Sequence, residues 1–310
     1  MNDLMNSYKN FLLKNIQKHK VLINTIPHCG THLVSSILET IGYRHSTYRK
    51  FGLIKTKVGL NWRLSEKISN FLPKNFDNSI HVSVASPKLV RFGIVKSSLN
   101  KVNFGEYALS HIPFDKKFKE YLLNHGWKCF FILRDPRDMC LSMLKHIESR
   151  PNHFGHMYLF NKLQSNSDRI EAIVRGFINE KNRKFIGINK MYSAMLGWSE
   201  SSNFVFLKYE ELVGKKGNGK ILSQSNSIKK IFGNLNYKEK NLDTKFLQYV
   251  GNESYGKSTT FRKGKIGNWK EILTEKDVMV FKKYTNKLLM SLGYEKNLKW
   301  GQSIIKNANK

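Results

Sequence analysis

Three short runs in this chain are apolar almost without interruption: residues 21–26 (VLINTI), 127–133 (WKCFFIL) and 204–207 (FVFL). A strand with one face in water alternates apolar and polar residues, whereas a continuous run needs cover on both faces. The segments between them carry helical spacing. After Gly30, the residues Leu33, Val34, Ile37, Leu38 and Ile41 recur at helical intervals and stop before Gly42. Pro136 opens a second helix, to about residue 148, because proline suits the first helical position. Further helices are expected over 115–125 (Phe118, Leu122 and Leu123 inward), 168–178 and 190–198. A C-terminal helix over 275–292 puts Phe281, Tyr284, Leu288 and Leu292 on one face. Buried strands alternating with helices imply an α/β fold, a central parallel sheet flanked by helices. Such sheets bind ligands beyond the carboxyl ends of their strands, here the turns after Ile26 and Leu133.

The 310 residues suit one domain, 1–310. It is expected to open with a short helix within 1–20 and to lay two covers, 43–105 and 149–166, over a substrate cleft. No run approaches the length of a membrane span, and residues 1–20 lack the pattern of a secretory leader. Cys29, Cys129 and Cys140 make neither a disulfide framework nor a CxxC pair. A cytoplasmic protein is expected.

Lys+Arg number 53 against 23 Asp+Glu, a net charge of +30. The excess is spread: residues 1–155 hold 24 and 10, residues 156–310 hold 29 and 13. No nucleic-acid-binding spacing accompanies it, so nucleic acid is not an expected partner. A diffuse positive field steers anionic ligands or surfaces inward, and a lysine-rich composition accounts for the excess equally well.

Pro27-His28-Cys29-Gly30-Thr31-His32 joins a strand to a helix N-terminus, where backbone amides can converge on an anion. It is not a Walker loop, which counts against ATP or GTP hydrolysis. His28 and His32 are four apart but lack the glutamate and helical context of HExxH. His146, His153 and His156 have no acidic or Cys partner at matching spacing. No metal is expected.

Four segments, in order, resemble the cytosolic-type sulfotransferases that use 3′-phosphoadenosine 5′-phosphosulfate (PAPS). Residues 27–33 are similar to that family's Pro-Lys-Ser-Gly-Thr-Thr-Trp loop. Residues 131–138 (FILRDPRD), with Ser142 beyond, are similar to its 3′-phosphate segment. Residues 208–212 (KYEEL) and 261–270 (FRKGKIGNWK) resemble its Tyr-Glu-Asp-Leu and Arg-Lys-Gly-x-x-Gly-Asp-Trp-Lys segments. The resemblance implies a sulfotransferase fold related in topology to nucleotide kinases. It implies transfer of a sulfuryl group from PAPS to a hydroxyl, or an amine, of a small-molecule or glycan acceptor, without a metal. It further implies that His28, Cys29, Gly30, Thr31, His32 and Leu33 surround the 5′ end of the nucleotide, that Arg134, Ser142, Arg262, Lys263 and Gly264 hold the 3′-phosphate, and that Tyr209 approaches the adenine. His111, in Ser110-His111-Ile112-Pro113, resembles the family's catalytic base.

The departures are specific. His28 stands where the family has a lysine, as a cation or acid at the leaving phosphate. Leu109 replaces a second lysine, Leu33 a tryptophan and Asn268 an aspartate. The family's dimer segment, Lys-x-x-x-Thr-Val-x-x-x-Glu, keeps Lys270 and Thr274 but has Glu275 and Met279 in its other two places, which puts that dimer in doubt. The alternatives are a P-loop-type small-molecule kinase and a catalytically weakened relative that binds anions or nucleic acid.

Overall fold

The structure is a computed structural model and describes residues 18–46, 78–200, 204–237, 242–257, 264–302 and 304. The helix expected within 1–20 lies mostly outside these residues, as does the middle of 43–105.

In chain order the elements are β1 (Val21–Thr25), α1 (Thr31–Thr40), β2 (Arg44–His45), β3 (Ser79–Val82), β4 (Lys88–Arg91), α2 (Phe92–Asn100), β5 (Glu106–Ser110), α3 (Lys116–Asn124), β6 (Lys128–Leu133) and α4 (Pro136–Glu148). A π-helical turn (Met157–Lys162) leads to α5 (Asn166–Arg175), β7 (Gly176–Ile178), β8 (Lys184–Ile186), α6 (Ile188–Leu196), β9 (Phe204–Lys208) and α7 (Tyr209–Leu212). The chain ends in α8 (Ile221–Asn234), α9 (Thr244–Ser254), α10 (Trp269–Ile272) and α11 (Glu275–Ser291).

The main sheet has five strands in the order β2-β5-β1-β6-β9. Every pairing is parallel, with Asn24 beside Ser110 and Thr25 beside Ile132. The apolar runs are covered on both faces, as their composition requires. Leu22, Cys129 and Phe131 belong to one buried cluster with Ile112, Met139 and Trp198. Their strand neighbours Val21, Ile23, Phe130 and Ile132 join the other, with Val34, Ile37 and Leu38 of α1 and Ile228 and Phe232 of α8. Successive side chains on a strand point to opposite faces, so each run feeds two cores.

One expectation is corrected. The helix over 168–178 ends at Arg175; Gly176 (φ 89°) turns the chain into β7, which pairs antiparallel with β8. A Cβ there would sit 2.6 Å from the Gly187 nitrogen, so only glycine allows the two backbones to approach. In α3, Tyr121 is buried beside Phe118 and Leu122, and Leu123 packs half-buried against the same core. The last helix begins with a capping box in which Thr274 and Asp277 bond each other's backbone amides. No helix among the described residues is long and apolar enough to cross a membrane.

Candidate active site

The site is built where β1, β5 and β6 end together. The chain leaves β1 through residues 26–30 and starts α1 with Gly30 at the N-cap. No side chain caps this helix, and its first turn holds no acidic residue, so the positive end of the helix is not neutralised locally. His28 has φ 67° and Gly30 φ 107°, and two left-handed residues so close together curl the backbone into a concave turn. A Cβ on Gly30 would lie 2.6 Å from the Tyr209 ring. Cys29 is fully buried against Tyr192, and burial pushes its thiol up to about 12; it offers a ligand only its backbone. Thr31 Oγ1 lies 2.6 Å from Thr25 Oγ1. His32 is exposed at the start of α1, and Leu33 is half-buried.

Arg134 follows β6 directly and bridges two segments remote in sequence. One terminal nitrogen donates to the His28 carbonyl and the other to the Lys265 carbonyl, both at 3.3 Å. The guanidinium lies 4.3 Å from the centre of the Tyr209 ring, and the Tyr209 hydroxyl donates to the Gly264 carbonyl at 2.8 Å. Gly30, Tyr209, Arg134 and the 264–265 backbone are therefore in one place. Arg134 Nε is buried without a hydrogen-bond partner among the described residues. A buried charged donor left in that state is costly unless an anion answers it. The neighbouring carboxylates are engaged elsewhere. Asp135 pairs with the buried Arg137 at 2.7 Å, and Asp138 accepts from the backbone amides of Gly267 (2.7 Å) and Trp269 (3.0 Å).

Asp138 was not expected to have this part. Its two bonds fasten the 264–269 segment to α4, while Arg137 lies 3.7 Å from the Trp269 ring centre. Burial raises the Asp138 pKa; the charge of Arg134 and the two amides pull it the other way. Ser142 lies one turn further along α4, on the same face as Asp138. Arg262 and Lys263 lie outside the described residues.

His111 sits at the end of β5, beside β1. Its Nδ1 donates to the Thr25 carbonyl at 2.6 Å and lies 3.3 Å from Thr25 Oγ1. A donating Nδ1 leaves Nε2 as the basic nitrogen of the neutral ring. The backbone on either side of His111 is held by Asn24. Its side-chain oxygen accepts from Ser110 Oγ (2.7 Å) and the Ile112 amide (2.8 Å), and its nitrogen donates to the Ile112 carbonyl (2.8 Å). Asn24 is fully buried. The one clue to it in the sequence was an amide inside an apolar strand, which must find partners.

His28 meets His146 edge-on, with ring centres 4.6 Å apart, and His146 faces His153 at 6.0 Å. Among the described residues no group of three or more His, Cys, Asp or Glu side chains is placed to hold a metal ion.

Residues 18–293 match the sulfotransferase domain family. The chain belongs to that family. Three solved structures share the fold. A mouse sulfotransferase, SULT7A1, complexed with PAP is 16% identical, with a TM-score of 0.52 over 92% of this chain and 89% of that one. A retinol dehydratase in complex with androsterone and inactive cofactor PAP is 16% identical, with a TM-score of 0.50 over 91% and 85%. A retinol dehydratase complex with retinol and PAP is 16% identical, with a TM-score of 0.52 over 91% and 86%. No curated protein matches the sequence. The protein is thus a PAPS-dependent sulfotransferase, and the kinase alternative is set aside.

Proposed function

We propose that the protein moves the sulfuryl group of PAPS onto a hydroxyl of a small-molecule acceptor, with His111 as general base. The donor supplies an activated sulfur whose bond to the 5′-phosphate breaks as the bond to the acceptor oxygen forms. His111 Nε2 takes the acceptor proton; Nδ1, bound to the Thr25 carbonyl, keeps the ring in the required tautomer. The curl from His28 to Thr31 and the uncapped start of α1 meet the 5′ end. Arg134, Ser142, Arg262, Lys263 and the Gly264 backbone hold the 3′-phosphate, and Tyr209 keeps the two halves of the site together. His28 stands at the leaving phosphate, cationic when protonated.

One observation carries this reading: the Arg134 guanidinium, with a buried donor that has no partner among the described residues, joins the loop after β1 to the 264–265 segment. The androsterone and retinol in the retinol dehydratase complexes support a small-molecule acceptor. Three buried free thiols suit a reducing, cytoplasmic setting.

Titration with adenosine 3′,5′-bisphosphate (PAP) and with ATP tests the donor site, since PAP alone presents a 3′-phosphate; equal affinity for both would reject it. For the base, His111→Ala should lower kcat by about 10²–10⁴-fold and leave PAP affinity within about twofold. A surviving rate would move the base elsewhere.

A further inference from the structure

Strands β6 and β9 run parallel with Leu133 beside Lys208. The residues that follow, Arg134 and Asp135 on one side and Tyr209 and Glu210 on the other, therefore leave the sheet together. The peptide joining Arg134 to Asp135 is gripped at both ends by side chains of two other elements. Its carbonyl accepts from the Tyr192 hydroxyl of α6 at 2.5 Å, and its amide donates to Glu210 Oε1 of α7 at 2.8 Å. Tyr192 is fully buried, and burial raises its hydroxyl well above the ordinary range, so it remains a donor. The same hydroxyl lies 3.7 Å from Cys29 Sγ in the loop after β1. Glu210 is held in turn. Its Oε2 accepts from the Tyr294 hydroxyl at 3.0 Å, and Lys208 Nζ fastens the chain leading to Tyr294 by donating to the Leu292 carbonyl at 2.8 Å.

A peptide unit is planar and contains both flanking α-carbons. Fixing its oxygen and its nitrogen therefore fixes the α-carbon from which the Arg134 side chain departs. The guanidinium at the far end rests on longer contacts, two backbone carbonyls at 3.3 Å and the face of the Tyr209 ring. The side chain is thus held more firmly at its root than at its tip.

We propose that Tyr192 and Glu210 are positioning residues of the donor site: by holding the Arg134–Asp135 peptide they aim the Arg134 guanidinium at the 3′-phosphate and set the preference for a nucleotide that carries one. This rests on the reading of Arg134 under the proposed function and deepens it, by naming the groups through which the fold controls that side chain.

Calorimetric titration of the full chain with PAP and with adenosine 5′-phosphate tests the proposal, the ratio of the two Kd values being the 3′-phosphate preference. Arg134→Ala sets the scale and should lower the preference by about tenfold or more. Tyr192→Phe, which removes only the hydroxyl, should lower it by about three- to tenfold and leave adenosine 5′-phosphate within about twofold of the wild type. Glu210→Ala should lower it at least as much. Glu210→Gln keeps an oxygen for the Asp135 amide and should stay within about threefold of the wild type. In an Arg134→Ala background, Tyr192→Phe should change PAP affinity by less than about twofold, because the hydroxyl acts through Arg134. A loss of preference in Arg134→Ala that neither Tyr192→Phe nor Glu210→Ala reproduces overturns the positioning role alone. So does an equal loss of both nucleotides in a Tyr192→Phe variant of normal Tm, or losses that add in the double variant. An Arg134→Ala variant that keeps the full preference overturns the reading of Arg134, and the positioning role with it.

Discussion

Replacing Asp138 by asparagine separates holding the nucleotide loop in place from touching the nucleotide. Asp138 bonds the amides of Gly267 and Trp269 at 2.7 and 3.0 Å. A hydrogen bond to an ionised group contributes about 1.5–3 kcal/mol. Asparagine keeps the volume and one carbonyl oxygen, so it can answer one amide while its own NH₂ faces the other. One charged bond is lost and the second becomes an ordinary one. In the opposite direction, the variant no longer buries a charge, a cost visible in the raised carboxyl pKa. The balance is a loss of about 2 kcal/mol in the anchoring of 264–269, equivalent to about thirtyfold. Adenosine 3′,5′-bisphosphate should therefore bind about 10–30-fold more weakly. Adenosine 5′-phosphate, which has nothing to place against Gly264, should bind within about twofold of the wild type. Calorimetry with both nucleotides, plus a thermal melt, reads the outcome. Equal losses for both nucleotides would refute the assignment of this segment to the 3′-phosphate. Unchanged binding of both would refute the argument that Asp138 holds it.

Three further outcomes are expected. Gly30→Ala places a side chain at φ 107° and 2.6 Å from the Tyr209 ring, so it should cost about 2 kcal/mol or more, seen as a fall of several degrees in Tm; an unchanged Tm would mean the loop relaxes freely. His153, at about 4 in the folded protein against an ordinary 6.5, takes up its proton later than in the unfolded chain. Its contribution to stability is complete above pH 6.5 and is lost as the pH falls towards 4. His153→Gln should accordingly show a smaller drop in Tm between neutral and mildly acidic pH than the wild type, and parallel drops would refute the assignment. His28→Lys should preserve or raise the sulfuryl-transfer rate at neutral pH and flatten its pH dependence, because lysine stays charged where imidazole does not; the carbonyl that Arg134 bonds belongs to the backbone and is retained. A collapse in rate with PAP binding intact would assign the imidazole a chemical task of its own.

Much of this protein could be read locally. Apolar runs at 21–26, 127–133 and 204–207 required cover on both faces, and they became three adjacent strands of a parallel sheet. The turns after the first two lie together, joined by Arg134 directly after its strand, and carry the residues proposed for the site. The strand Glu106–Ser110 (EYALS) has too mixed a composition to stand out, and helices Ile221–Asn234 and Thr244–Ser254 escaped notice as well. The burial of each element is written in its own period, because a side chain's direction depends only on its neighbours along the backbone. Which distant groups meet is not written there. Asn24 clasps both sides of His111 across 88 residues of chain, and Asp138 fastens Gly267 from 129 residues away. The row His28, His146, His153 and the approach of Arg183 to Phe154 likewise join separate elements. These meetings follow from the order of strands in the sheet and the seating of helices upon it, and packing over the whole molecule settles both.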